Sequence, residues 1–233
     1  EGSTVQLPVT VTDDQQVASV ELLLNGRVVR TDMGFPFELS TALPTLAANG
    51  GRTTVTLQVR ATDTGGNVGL APPVTVTLVP DTLGPTLVDS SIDEGDEKSR
   101  SLRSITLLFS EALDAASVNG STVRLIGPDG NAVPDPQVQF RQQGREVQLT
   151  WAPLPAVGSY RFVLEAGAIT DRAGNPLGTA TVETAFTVQN YSTEWIGPAG
   201  GFWDVGANWS EGTVPTADDD VFVGGLPEGA GIT

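Results

Sequence analysis

The sequence predicts an all-β protein: two β-sandwiches in tandem, followed by the beginning of a third β-rich module. Short runs of alternating apolar residues recur along the chain, turn-forming residues separate them, and helical periodicity is nowhere sustained. This rhythm is typical of a β-sandwich. The phrase Asp-x-x-Gly-Asn occurs at residues 63–67 and again at 171–175, each time before a last apolar strand. The repetition indicates two similar units.

Composition narrows the possible partners and chemistry. The 233 residues suffice for two ordinary domains and a remainder. With 28 acidic and 12 basic residues, the net charge of −16 disfavours nucleic acid and anionic lipid as partners. Cysteine and histidine are absent, which excludes disulfides, thiolate zinc sites and imidazole bases. Because the chain starts without methionine and shows no signal peptide or apolar membrane span, we expect a piece of a longer polypeptide without direct membrane insertion.

The first predicted unit covers residues 1–80. A half-buried strand runs from Thr4 to Val11, and alternation resumes from Ala18 to Leu24. Asn25-Gly26 then gives a strong hairpin signal, since both residue types tolerate positive φ. Further strands are predicted at 27–31, 35–39, 53–61 and 74–78.

The second predicted unit covers residues 81–189. A short connection with two prolines, Val79–Pro85, spans the boundary between the two units and is expected to be stiff. An acidic loop is predicted at 93–97 and a single helical turn at 111–116. Strands are predicted at 86–91, 105–109, 122–126, 138–140, 147–151, 160–164 and 182–188.

Residues 190–233 differ in composition from the two units, with many glycines and the tryptophans Trp195, Trp203 and Trp209. Only residues 220–223 read as a strand. A segment of this length with so little apolar periodicity cannot build a strong core alone. We interpret it as a partial module.

These residues resemble known bacterial families. Val20–Gly26 together with Ala61–Val68 resembles the bacterial Ig-like domains found in tandem on large surface proteins, although the expected first strand is missing or lies upstream. Asp81–Pro85, Ile105–Glu111 and Thr170–Asn175 resemble the Ig-like domain type of S-layer proteins. The tail, with Gly201–Asp204, Asn208–Ser210 and Asp218–Val221, resembles the start of β-helical passenger regions.

A calcium site is the sharpest chemical hypothesis. Asp63 and Asn67 lie in the first Asp-x-x-Gly-Asn turn and Asp81 in the connection, and hard cations prefer such oxygen ligands. The resemblance implies that calcium stiffens junctions of this kind. The alternative is that Asp and Asn are ordinary turn formers. The same alternative applies to Asp171 and Asn175. Residues 218–220 either form a solvated acidic loop before a strand or bind a cation.

The tryptophans allow two interpretations. Trp151 ends an alternating strand and is predicted to lie in the core. Trp195, Trp203 and Trp209 either supply the scarce apolar area of their module or stack on a sugar ring. No pair of carboxylates is marked for glycosidase chemistry and no glycine-rich loop precedes a helix.

We therefore predict no enzyme but a structural or adhesive segment of an extracellular bacterial surface protein, acting as a semi-rigid spacer that presents other modules. Its expected partners are neighbouring domains of a longer chain, surface glycans or other surface proteins. Two alternatives are a carbohydrate-binding accessory region of a secreted polysaccharide-degrading enzyme and a subunit of a surface lattice or filament. An exposed sheet edge would allow the latter to assemble by strand addition.

Overall fold

The computed structural model describes residues 1–14, 16–152, 154, 156–227 and 229–233. The predicted all-β class is confirmed. Apart from strands, this described part contains 3-10 turns at Ala115–Ser117, Gln142–Gly144 and Gly206–Asn208. None of its helices has the length and apolarity required to cross a membrane.

The first unit is a sandwich of two unequal sheets. Its strands are β1 (Thr4–Pro8), β2 (Val17–Leu24), β3 (Arg27–Asp32), β4 (Glu38–Ala42), β5 (Thr54–Asp63), β6 (Val68–Leu70) and β7 (Val74–Thr77). One sheet has the order β3-β2-β5-β6, with β7 also pairing with β5, and the other contains β1 and β4. The predicted hairpin between β2 and β3 is confirmed, with positive φ at Asn25 and Gly26.

The core of this unit is closed on one side only. Side chains from the large sheet and β4 are buried, including Val20, Leu22 and Leu39. The apolar residues of β1, Val5 and Leu7, stay half-buried although they face the same core. The two-stranded sheet therefore leaves part of the core surface uncovered.

The second unit is a sandwich of two four-stranded sheets. Its strands are β8 (Leu87–Ser90), β9 (Glu97–Ser99), β10 (Ser104–Phe109), β11 (Val123–Ile126), β12 (Gln137–Arg141), β13 (Glu146–Thr150), β14 (Gly158–Leu164) and β15 (Val182–Gln189). The sheets are ordered β12-β13-β10-β8 and β11-β14-β15-β9. The core is well filled: Ile105, Leu107 and Phe109 of β10 are all buried, and Tyr160 stacks on Phe186 with ring centroids 5.7 Å apart.

The C-terminal segment, residues 190–233, contains β16 (Thr193–Glu194) and β17 (Val221–Phe222), which pair in parallel. Trp195 and Trp209 form an isolated bridge beside them. Repeated coils of a β-helix are not among the elements that the structure describes in this segment. Trp209 of this segment packs against both Trp195 and Trp203.

Candidate functional site

The two Asp-x-x-Gly-Asn turns have the same internal geometry. Asp63 Oδ1 accepts a hydrogen bond from Asn67 N, and Asp63 Oδ2 accepts one from Asn67 Nδ2, both at 2.7 Å. Asp171 repeats this with Asn175 N and Asn175 Nδ2, both at 2.8 Å. The side-chain and backbone hydrogen bonds from Asn67 lower the pKa of Asp63. Both aspartates therefore act as turn formers.

The structure separates Asp63 and Asn67 from Asp81. At the start of β5, Leu78 N donates to Thr53 O (2.7 Å), so the chain leaves toward Asp81 from that end. Asp63 is the last residue of β5, nine residues further on. At about 3.3 Å per residue this is roughly 30 Å away. The three residues that the sequence suggested as one cation site therefore do not converge.

Asp81 instead meets two carboxylates of the second unit. One carboxylate oxygen from each of Asp81, Glu111 and Asp171 lies within 4.8 Å of the others. Asp171 is 2% exposed, and the other two are half-buried. Glu111 follows β10, and the second turn carries Asp171. We call these three residues the junction cluster.

The junction cluster is strongly anionic. Burial raises the pKa of Glu111, and the charges of Asp81 and Asp171 and a hydrogen bond with Asp81 raise it further. Within the described part of the chain, no ion pair reaches any of the three carboxylates. Either a proton on Glu111 or a nearby cation would relieve the repulsion.

Two arginines line the adjoining cleft, which has a volume of about 290 Å³, but among the described residues their hydrogen bonds go to backbone oxygens and to the Thr4 hydroxyl and not to the three carboxylates. Arg145 Nε donates to Phe109 O (3.3 Å) and Arg172 Nη2 to Gln143 O (2.9 Å). Calcium takes six to eight oxygen ligands. Asp171 already accepts hydrogen bonds from its own turn, so a cation here would draw mainly on Asp81, Glu111 and water.

Arg172 also links the two units. Its Nη1 donates to Gly2 O (3.2 Å) and to Thr4 Oγ1 (2.9 Å). A Cβ at Gly2 would lie 3.1 Å from Arg172 Cβ, so the glycine permits this close approach. The Glu1 carboxylate accepts from Asp81 N (3.2 Å) and from Leu46 N. These contacts, with the junction cluster, form the first junction.

A second junction joins the second unit to the C-terminal segment. The Glu194 carboxylate accepts hydrogen bonds from Ser99 Oγ and from Ser101 Oγ, the latter at 2.6 Å. Tyr191 Oη donates a hydrogen bond to Glu97 Oε2 of the second unit (3.5 Å). The connection at Gln189 is therefore held by side chains from both parts.

The tryptophans divide between core and surface. Trp151 is buried and packs edge-on against Phe162, as predicted. Trp195 and Trp209 are buried and perpendicular, with centroids 5.0 Å apart. Trp203 packs edge-on against Trp209 but is 40% exposed. Only Trp203 of these four therefore presents an indole surface to solvent.

The acidic run at 218–220 behaves as a turn. Asp219 Oδ2 accepts hydrogen bonds from Thr216 N (2.8 Å) and Thr216 Oγ1 (2.9 Å). Its Oδ1 accepts one from Ser192 Oγ (3.1 Å). These bonds, above all that from Thr216 N, lower the pKa of Asp219. The Asp219 carboxylate therefore closes a loop before β17.

The comparisons with known proteins agree with the sandwich of the second unit. Residues 81–188 match the family model of a bacterial Ig-like domain. The resemblance predicted for this unit is therefore confirmed at the level of that family. None of the curated proteins matches the chain.

Solved structures with similar folds share little sequence. CopC from Methylosinus trichosporium OB3b is 22% identical, with 46% of this chain and 94% of CopC covered and a TM-score of 0.37. SGBP-B of the Bacteroides ovatus mixed-linkage glucan utilization locus is 18% identical over 85% of this chain and 43% of its own, with a TM-score of 0.28. The N-terminal part of the bacterial S-layer protein SbsC is 18% identical over 58% of this chain and 33% of its own, with a TM-score of 0.34. These scores are too low to carry a functional argument.

Proposed function

We propose that residues 1–233 are a non-catalytic, semi-rigid spacer within an extracellular bacterial surface protein. The observation that carries this proposal is the course of β10 through the second unit. Its Ser104 end lies three residues from Ser101, which contacts Glu194 at the second junction. Its Phe109 end lies two residues from Glu111, which lines the cleft at the first junction together with Gly2 and Thr4 of the first unit. The two neighbours therefore dock at opposite ends of the sandwich.

Docking at opposite ends is what a spacer requires. Each added unit lengthens the molecule, and side-chain contacts at each junction limit bending. The bacterial Ig-like match of residues 81–188 supports a place among bacterial surface proteins. The net charge of −16 suits an extended array of modules that repel one another and other anionic surfaces. In this proposal, the C-terminal segment begins the next module, of the β-helical passenger type that its sequence resembles.

Small-angle X-ray scattering tests the proposal. A compact chain of this length has a radius of gyration of about 17 Å. We expect a clearly larger radius and a pair-distance distribution with the long tail of an elongated particle. A radius near the compact value would overturn the spacer.

A sugar-binding role for the C-terminal segment is the second candidate, and the exposure of Trp203 favours it. Phe202 beside it is also exposed, so an aromatic surface is available for stacking. Depletion on insoluble polysaccharides would compare the unmodified chain with Trp203→Ala. Phe35→Ala is the matched control, because Phe35 is an exposed aromatic residue of the first unit. Retention that only Trp203→Ala abolishes would support sugar binding, and no retention would exclude it for the polysaccharides tested.

A further inference from the structure

The sequence contains three asparagine–glycine pairs, at Asn25-Gly26, Asn49-Gly50 and Asn119-Gly120. In such a pair, the backbone nitrogen of the glycine can attack the side-chain carbonyl carbon of the asparagine, and ammonia leaves as a succinimide ring closes. Water then opens the ring at either carbonyl and gives aspartate or isoaspartate, so no other reactant is needed. Glycine favours the reaction because it has no side chain to block the approach. The surroundings of each pair decide whether it can react.

The Asn119 pair is held against this reaction. Asn119 Oδ1 accepts hydrogen bonds from Ser121 N (3.0 Å) and Ser121 Oγ (2.6 Å), and Asn119 Nδ2 donates to Ala116 O (3.1 Å). A Cβ on Gly120 would lie 2.2 Å from Asp135 Cγ, so the Asp135 carboxylate covers the glycine. The side-chain amide is therefore fixed by three hydrogen bonds, and the glycine beside it is shielded.

The Asn49 pair is held in a different way. Asn49 Nδ2 donates to Arg52 O (2.6 Å) and to Thr54 O (3.1 Å). Gly50 N, the nitrogen that would attack, donates to Ala47 O (3.1 Å). Both the leaving group and the nucleophile of this pair are therefore engaged in hydrogen bonds.

The Asn25 pair is the least restrained of the three. Asn25 and Gly26 form the exposed turn between β2 and β3, and a Cβ on Gly26 would meet nothing within 4 Å. Asn25 Oδ1 accepts a hydrogen bond from Thr56 N (2.9 Å), and Asn25 Nδ2 makes a long one to Asn49 Oδ1 (3.4 Å). Gly26 N donates none of the hydrogen bonds found in the described part of the chain. The nucleophile is therefore free, and a single short hydrogen bond holds the amide.

We infer that Asn25 is a spontaneous modification site, at which the folded chain forms aspartate and isoaspartate while Asn49 and Asn119 are preserved. The Gly26 nitrogen forms a bond to Asn25 Cγ, and the bond between Cγ and Nδ2 breaks. The proton of the Gly26 amide leaves with Nδ2 as ammonia. One water molecule then hydrolyses the succinimide.

The modification changes how the hairpin is tied to β5. Leu24 pairs with Leu57, and Asn25 extends this pairing by one residue: Asn25 N donates to Thr56 O (2.8 Å), and the Asn25 side chain accepts from Thr56 N. In isoaspartate the backbone runs through the former side chain, so the turn becomes one carbon atom longer. The side-chain oxygen that Thr56 N uses is lost in the same step. The corner between the hairpin and β5 therefore opens in the isoaspartate form.

Peptide mapping by mass spectrometry tests the inference. The folded chain is incubated in mildly alkaline buffer, and aspartate and isoaspartate are measured over time at all three asparagines. We expect Asn25 to convert about tenfold faster than Asn49 and Asn119, because the other two pairs have additional short hydrogen bonds to break. In the chain unfolded in urea, the three pairs should convert at similar rates. Asn25→Gln is the control for the assignment of the product, because glutamine keeps the amide but cannot close the five-membered ring.

The contrary outcomes are distinct. Conversion of Asn49 or Asn119 at the rate of Asn25 in the folded chain would overturn the inference. So would an Asn25 that converts in urea but is stable in the folded chain. The same order of rates in urea would assign the ranking to the local sequence and overturn the argument from the fold.

Amide hydrogen exchange tests the consequence for the hairpin. In the purified isoaspartate form, exchange at Thr56 should be about tenfold faster, because its amide has lost its partner. Asn25→Asp supplies the aspartate product directly and keeps an oxygen for Thr56 N, so exchange at Thr56 should stay slow. Leu107 of the second unit is the internal reference. Slow exchange at Thr56 in the isoaspartate form would overturn the role of the Asn25 side chain at this corner.

Discussion

Arg172→Ala tests whether the first junction is held by specific side chains. The Arg172 guanidinium donates two hydrogen bonds to the first unit, at Gly2 O and Thr4 Oγ1. At a partly exposed site each contributes about 0.5–1 kcal/mol. The variant should therefore weaken docking of the two units by about 1–2 kcal/mol, which lowers the ratio of docked to undocked molecules roughly 5- to 30-fold. Neither sandwich should lose much stability of its own.

Single-molecule energy transfer can measure the docking of the two units directly. Because the chain has no cysteine, two introduced cysteines can be labelled specifically with a pair of dyes. Dyes on Thr31→Cys and Gln137→Cys, which are exposed on different units, report the distance between them. We expect a narrow distribution in the parent and a broad one in Arg172→Ala. Arg161→Ala is the matched control, because Arg161 pairs with Glu183 inside the second unit. A distribution unchanged by Arg172→Ala would refute this account of the junction.

Three other predictions follow from the junction cluster and the open core. The pKa of Glu111 is raised above 4.5 in the folded state, so the protonated Glu111 carboxyl stabilises the fold below pH 4.5, and this stabilisation is lost as pH rises through the higher folded pKa. Glu111→Gln should therefore raise the melting temperature at pH 7 and flatten the fall of the melting temperature just above pH 4.5. An unchanged slope would contradict this prediction. Calcium binding remains a prediction from the sequence, with Asp81 as a ligand. At 100 times its dissociation constant, calcium should add about 2.7 kcal/mol to the free energy of unfolding, and Asp81→Asn should reduce this gain. Equal melting temperatures with and without calcium would contradict the prediction. Leu107→Ala should cost about 2–5 kcal/mol in denaturant unfolding and the half-buried Leu7→Ala clearly less, and equal losses would argue against an open first sandwich.

The strands that sequence reasoning found are those whose alternation reflects one buried face. β10 and β13 alternate between buried and half-buried positions, so the apolar alternation in their sequences predicted both strands. β6 and β9 were missed for a physical reason. All residues of β6 are exposed, and β9 lies in an acidic stretch without apolar alternation, where the backbone pairs with β15.

The candidate site was predicted only in part. Asp81 belongs to it, but Glu111 and Asp171 were interpreted as part of a helical turn and as a turn former. The grouping of Asp63 with Asp81 in one cation site was wrong, and the order of the strands predicted from the sequence already spoke against it. Antiparallel β5 and β7 place the turn between them at one end and the connection after β7 at the other. The meeting of Asp81 with Glu111 depends on how the start of the second unit packs against the rest of that unit, which no local pattern encodes.

The parallel pairing of β9 with β15 has a mechanical consequence. Tension on a surface array would pull the start of the second unit toward the first junction and its end toward the second. β9 and β15 run in the same direction, so these pulls slide one strand along the other and stress all their hydrogen bonds at once instead of peeling them apart singly. Residues 1–80 contain no such shear clamp beside β7 in their described part. In single-molecule pulling experiments we therefore expect the second unit to unfold at a higher force than the first. Equal unfolding forces would contradict a mechanical role for the pairing of β9 with β15.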